Sequence, residues 1–119
     1  MPGHKVLIVE DEFLIRLTLA EALGDEGFTA IEAEAADQAL VALAAHSDII
    51  LMMTDIQLPG GMDGRALAAR ARQTRPGLPV IFMTGRPDRM EPPTPQDLFV
   101  AKPYLPSEIC AAVRRMTGI

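Results

Sequence analysis

Residues 5–12 read KVLIVEDE, an apolar, β-branched run from Lys5 to Val9 that stops abruptly at Glu10, Asp11 and Glu12. Nothing polar alternates inside Val6–Val9, so the run predicts a strand buried on both faces. Such a strand needs helices above and below it, and the following sequence supplies them. Phe13–Asp25 places Ile15, Leu19, Ala22 and Leu23 at helical spacing, and Gly27 stops the helix. Phe28–Ala33 (FTAIEA) predicts a second, weaker strand, and Ala36–Ala45 a helix with Leu40 and Leu43 inward. Ile49–Thr54 (IILMMT) predicts a third buried strand ending at Asp55, followed by a Pro-Gly-Gly loop at Pro59, Gly60 and Gly61. Arg65–Thr74 predicts a basic helix bounded by Pro76 and Gly77. Leu78–Met83 predicts a fourth strand ending at Thr84-Gly85, and Leu98–Ala101 a fifth that runs into Lys102 and Pro103. Ser107 is placed to cap a last helix ending near Gly118. Strands and helices alternate, which predicts an α/β fold with a parallel sheet covered on both faces. The exception is Arg86–Gln96 (RPDRMEPPTPQ), where four prolines in eleven residues exclude a regular helix throughout. The helix expected between the fourth and fifth strands is therefore short, irregular or missing.

Composition sets the bounds. The 119 residues predict one domain spanning 1–119, with no room for a separate effector domain. A 49% hydrophobic content excludes a disordered linker. A net charge of −5 argues against nucleic acid bound through a basic surface, and against anionic membranes. No apolar run approaches the ~20 residues of a membrane span. The N-terminus turns acidic too soon for a signal peptide. A single cysteine, Cys110, excludes an intramolecular disulfide and favours a reducing, cytoplasmic setting.

In a doubly wound sheet, ligands bind beyond the carboxyl ends of the strands. Here those ends carry Glu10 and Asp11 on the first strand, Asp55 on the third, Thr84 on the fourth and Lys102 on the fifth. One polar strand end is ordinary where it meets solvent. Four together, of these types, form a coherent set. Clustered carboxylates favour a hard divalent cation, chiefly Mg²⁺. A central aspartate can attack a phosphoryl group as a nucleophile. The new charge then needs a cation, an ammonium and a hydroxyl for its three oxygens. His4 and His46 are isolated and read as surface residues, and Cys110 as a small buried one.

The order and spacing of VLIVEDE at 6–12, MTDIQLPGGMDG at 53–64, VIFMTG at 80–85 and VAKPY at 100–104 resemble the receiver domains of two-component response regulators, of the stand-alone chemotaxis-regulator type. That resemblance implies a five-stranded, flavodoxin-like (βα)5 fold with strand order 2-1-3-4-5. It implies Asp55 as phosphoacceptor, Asp11 as a direct Mg²⁺ ligand, Glu10 acting largely through water, and the main-chain carbonyl of Gln57 as a further ligand. It makes Thr84 the switch hydroxyl, Phe99 the switch aromatic and Lys102 the lysine that meets the phosphoryl group, with a cis Lys102–Pro103 bond. Three departures stand out: Glu rather than Asp at position 10, one extra glycine after Asp55, and a shortened span from Thr84 to Lys102. The last is similar to a subgroup of alphaproteobacterial receivers with a Thr-Gly pair after strand four and a remodelled fourth helix.

The implied partner is a histidine kinase or a histidine phosphotransfer protein. It is expected to dock on Leu14, Ile15 and Thr18 of the first helix and on Tyr104 and Leu105 after strand five. Phe13 and Leu14 cannot both face inward beside Leu19 and Leu23, which leaves an apolar patch near the site. Gln57 and Arg86 are expected to tune phosphoryl lifetime. The signal is expected to be read out over Arg86–Phe99 by a loop shift, in a monomer. Catalysis is expected to be limited to self-phosphorylation and autodephosphorylation. Three other functions compete. An aspartyl phosphatase lacks its general acid, because position 57 is Gln. A flavodoxin-like cofactor binder would meet repulsion from Glu10-Asp11-Glu12. A degenerate receiver used only for protein binding has no need of the complete acidic, hydroxyl and lysine set.

Overall fold

The computed structural model describes residues 3–86 and 94–119. Five strands, β1 (Lys5–Val9), β2 (Thr29–Ala33), β3 (Ile49–Asp55), β4 (Val80–Thr84) and β5 (Asp97–Ala101), form one parallel sheet in the order β2-β1-β3-β4-β5. Four helices are described: α1 (Phe13–Asp25), α2 (Ala36–Ala45), α3 (Gly64–Ala71) and α4 (Pro106–Thr117). The proline-rich element expected between β4 and β5 falls on residues 87–93, outside the described residues.

Strand side chains alternate between two cores, as the two-residue repeat of a pleated strand requires. Leu7, Val9, Met52, Val80 and Phe82 pack with Ala39 and Leu43 of α2 and with Leu67, Ala68 and Ala71 of α3. Val6, Ile8, Leu51, Met53, Ile81 and Met83 pack on the opposite face with Leu19 and Leu23 of α1 and Ile109 and Val113 of α4. Each aliphatic side chain so buried contributes roughly 1.5–3 kcal/mol. Far from the polar rim, the Arg75 guanidinium donates to the carbonyls of Leu43 at 2.8 Å, His46 at 2.6 Å and Ile49 at 3.1 Å. It thereby serves the end of α2, whose last turn holds no basic residue of its own.

Several boundaries differ from expectation. Phe28 precedes β2 rather than opening it, because its ring is drawn into the core of the α1/α4 face. The third helix begins at Gly64, where the Asp63 side chain accepts from Ala66 N–H at 2.8 Å, and ends at Ala71 rather than Thr74. β4 starts at Val80 rather than Leu78 and includes Thr84, β3 includes Asp55, and β5 starts one residue early at Asp97. Ser107 does not cap α4. Leu105 holds that position, its N–H donating to Glu108 Oε1 at 3.0 Å, and Pro106 opens the helix, where a missing N–H costs nothing. The helix ends at Thr117, next to Gly118 as anticipated, and Gly118 takes a left-handed φ of 72°.

Candidate functional site

The strand order reverses between β1 and β3, and register there builds the site. Val9 pairs with Thr54, so Glu10 and Asp55 each lie one residue beyond a paired position. Asp55 pairs with Met83, which sets Thr84 beside it, and Thr84 pairs with Ala101, which delivers Lys102. Lys102 N–H donates to the Thr84 carbonyl at 2.8 Å and locks that corner. The Lys102–Pro103 bond is cis, as expected.

Asp11, Asp55, Thr84 and Lys102 line a cavity of about 1060 Å³ that also takes in Gln57, Arg65 and Arg86. Glu10 is 1% and Asp55 7% exposed, whereas Asp11 faces solvent. Lys102 Nζ pairs with Asp55 Oδ2, while Asp55 Oδ1 accepts from Gln57 N–H at 3.2 Å. Thr84 Oγ1 accepts from Arg86 N–H at 3.0 Å, which leaves its own proton to donate. Glu10 Oε1 accepts from Glu12 N–H at 3.2 Å, and Glu10 Oε2 is buried without a hydrogen-bond partner. Burial, reinforced by Asp55, pushes the Glu10 carboxyl up to about 7 against the pull of Glu12 N–H and Lys102.

Glu10, Asp11 and Asp55 each offer an oxygen within 4.8 Å of the others. Asp11 and Asp55 against one ammonium leave excess negative charge in the cluster even with Glu10 protonated, and the buried Glu10 Oε2 has no hydrogen-bond partner. An all-oxygen donor set of this kind fits a hard divalent cation such as Mg²⁺.

The sequence model of the response regulator receiver domain family matches residues 6–114. The chain belongs to that family. A response regulator receiver protein of Anaeromyxobacter sp. (strain Fw109-5) is 35% identical over 108 residues, covering 91% of this chain and 43% of that protein. The chain thus spans less than half the length of this curated relative. Among solved structures, a response regulator receiver protein from Sinorhizobium medicae WSM419 superposes with a TM-score of 0.83 at 21% identity, covering 98% of this chain and 95% of that one. Response regulator protein TrrA from Thermotoga maritima, solved in complex with Mg²⁺–BeF, superposes with a TM-score of 0.80 at 25% identity, covering 98% of this chain and 99% of that one. Receiver domains bind Mg²⁺ at an acidic cluster and are phosphorylated by histidine kinases; the corresponding cluster of this receiver is Glu10, Asp11 and Asp55.

The structure brings Glu10, Asp11, Asp55, Thr84 and Lys102 together as the strand ends indicate. Phe99 lies away from them on β5, half-buried, its ring 5.2 Å from that of Phe82. Leu14, Ile15, Thr18 and Tyr104 line a separate apolar groove of about 550 Å³ with Leu19, Pro103 and Pro106. Leu105 is exposed but outside that lining. Phe13 and Leu14 are both exposed, while Ile15 packs partly against the core. None of the described helices is long and apolar enough to cross a membrane.

Two residues beside the site escape a reading of sequence alone. Gly64 packs its α-carbon against the Asp55 backbone, and its N–H donates to the Ile56 carbonyl at 2.7 Å. A glycine at the start of a helix is the available signal, because glycine there has to be explained by close approach. Arg16 is buried on the same stripe of α1 as Leu19 and Leu23. A charged residue on an apolar stripe is the signal it leaves.

Proposed function

We propose that this receiver accepts a phosphoryl group on Asp55 from a phosphohistidine, and that the resulting acyl phosphate switches its surface. The observation that supports this most is the placement of the Asp55 carboxylate. It is buried at the end of β3, paired with Lys102, and shares an oxygen cluster with Glu10 and Asp11. In the transfer, an Asp55 oxygen forms a bond to phosphorus as the P–N bond of the phosphohistidine breaks. The imidazole leaves with the bonding pair and takes up a proton. Lys102 then exchanges its carboxylate partner for a phosphoryl oxygen, and the Thr84 hydroxyl donates to another. Asp11, Asp55, the Gln57 carbonyl and Glu10 would hold a Mg²⁺ ion, which when bound would neutralise charge on the incoming phosphoryl oxygens.

The donor is a histidine kinase or phosphotransfer protein, and its helix rests on the groove beside the site. Leu14 is 73% exposed there, with Ile15, Tyr104 and Pro103 forming the walls. Thr18 also lines the groove and spends its hydroxyl on the Leu14 carbonyl at 2.8 Å. The setting is the cytoplasm, the chain acts as a monomer, and its own catalysis is confined to taking up and losing phosphate.

The test is acetyl phosphate labelling followed by intact-mass spectrometry. One phosphoryl adduct is expected in Mg²⁺, none in excess EDTA, and none in Asp55→Asn. Undiminished labelling of that variant refutes Asp55 as acceptor. Failure of the unaltered chain to label from either acetyl phosphate or a phosphorylated kinase leaves a receiver used only for protein binding.

A further inference from the structure

Arg16 is the only buried cation among the described residues, 7% exposed on α1. Two of its contacts fall on the turn that carries the acidic pair. The guanidinium Nη1 donates to the Glu10 carbonyl at 2.8 Å. The Arg16 backbone N–H donates to the Glu12 carbonyl at 3.0 Å. The guanidinium therefore holds the carbonyl before Asp11, while the carbonyl after it is held by the first backbone bond of α1. The turn is otherwise held by the Glu12 N–H bond to Glu10 Oε1 and the Glu10 N–H bond to the Ala33 carbonyl; Glu12, at the cap of α1, makes no side-chain capping bond.

The charge of Arg16 is directed away from the carboxylate cluster. Its Nε donates to Glu32 Oε1 at 3.0 Å, and Glu34 Oε1 lies 3.7 Å from Nη2. Both acids belong to the β2 side of the sheet, and the Phe13 ring covers the guanidinium at 5.6 Å. The side chain thus spans from the outer edge of the sheet to the backbone beneath Asp11. It acts on the site through that backbone.

We infer that Arg16 is a positioning residue for the divalent cation: its guanidinium fork fixes the Glu10–Glu12 turn so that Asp11 stands in reach of Asp55 before the cation arrives. The inference rests on the proposed phosphoacceptor function. Asp11 is the exposed member of the acidic trio, so its carboxylate depends most on the backbone beneath it. Without the fork, ordering that turn becomes part of the cost of binding. Partners that orient metal ligands in this way are typically worth about 10–100-fold in affinity. Lysine keeps the charge but lacks the planar fork that serves Glu32 and the Glu10 carbonyl at once.

The test is an NMR titration of the intact chain with Mg²⁺, following the amides of residues 10–12, for the unaltered protein, Arg16→Lys, Arg16→Met and Arg75→Met. Both Arg16 variants are expected to bind Mg²⁺ about tenfold or more weakly. Arg75→Met removes a comparable carbonyl clamp away from the site; it is expected to lower thermal stability and leave Mg²⁺ affinity unchanged. If Arg16→Met does not fold, Arg16→Lys decides alone. Native Mg²⁺ affinity in the folded Arg16 variants overturns the inference, as does an equal loss in Arg75→Met. Absence of Mg²⁺ binding in the unaltered chain overturns the proposed function and this inference with it, whereas acetyl phosphate labelling that persists while the Arg16 variants bind normally overturns this inference alone.

Discussion

Replacing Gly64 with alanine places one methyl group against the backbone of the phosphoacceptor. A β-carbon built there lies 2.2 Å from the Asp55 carbonyl oxygen, 3.0 Å from its carbonyl carbon and 3.1 Å from the Ile56 α-carbon. A carbon–oxygen contact needs roughly 3.3 Å, so α3 and the end of β3 must separate by about 1 Å. Neither side yields readily, because every atom met is backbone, and the 2.7 Å bond from Gly64 N–H to the Ile56 carbonyl draws the two together. Overpacking of this kind costs about 1–3 kcal/mol, against a gain of at most about 1 kcal/mol in helix propensity. The larger effect falls on chemistry, since a displacement of about 1 Å at a reacting group can slow a reaction by roughly a hundredfold. The assay is the rate of acetyl phosphate labelling at saturating Mg²⁺, with urea denaturation run in parallel. Gly61→Ala is the control: its β-carbon meets nothing within 4 Å, and neither rate nor stability should move. A Gly64→Ala protein that labels at the native rate refutes the claim that this contact sets Asp55.

Other outcomes follow from the same geometry. Thr84→Val removes the acceptor of Arg86 N–H and the donor facing the phosphoryl group; it should cost about 1 kcal/mol and leave labelling of Asp55 intact. The beryllofluoride-induced NMR shift at Phe99 should shrink, and an undiminished shift means that the hydroxyl is not the link. Leu14→Glu should slow transfer from a phosphorylated kinase or phosphotransfer protein without slowing acetyl phosphate labelling; equal slowing of both would place Leu14 in the site rather than on the docking surface. Tyr104, the sole tyrosine, is pushed up to about 12 by burial, then by Glu10 and Asp55. Ultraviolet titration of the folded protein should therefore show its phenol ionising well above the ordinary value. Because the folded-state value is raised, the neutral phenol's contribution to stability is present below the unfolded value near 10 and is lost as pH rises above it. Ionisation at the ordinary value, with circular dichroism unchanged, would show the ring exposed.

Asp55, Thr84 and Lys102 were legible because each stands where an apolar run turns polar. In a parallel sheet every such transition falls on the same rim, so reading the strands also reads the site. Gly64 and Arg16 were harder, since each works by touching the backbone of a different segment. The sequence marks them only as anomalies, a glycine opening a helix and a charge on an apolar stripe. Helix caps failed for a related reason. Ser107 has the right chemistry, but Pro106 fixes where the helix begins, and the start falls two residues too early for Ser107 to serve. Asp63 had the same chemistry and does cap its helix, because Gly64 follows it directly against the sheet.

The distribution of burial also separates the parts of the site that hold still from the part free to respond. Glu10 follows, and Asp55 ends, an interior strand with cores on both faces, and nearly every side chain of β1 and β3 is buried. Lys102 follows β5, the edge strand beside β4, whose side chains are only half-buried from Asp97 to Val100. A phosphoryl group on Asp55 would draw on Lys102 and Thr84 together. These two are already linked by the bond from Lys102 N–H to the Thr84 carbonyl, so the pull is applied at the seam between β4, an interior strand, and β5, the edge. The interior strands cannot follow without opening both cores. The edge can, and the contact it would disturb is the Phe82–Phe99 ring pair, which joins the same two strands at a paired position. Phe99 is thus expected to respond because the strand that carries it and leads into Lys102 is an edge strand, less buried than β1, β3 and β4.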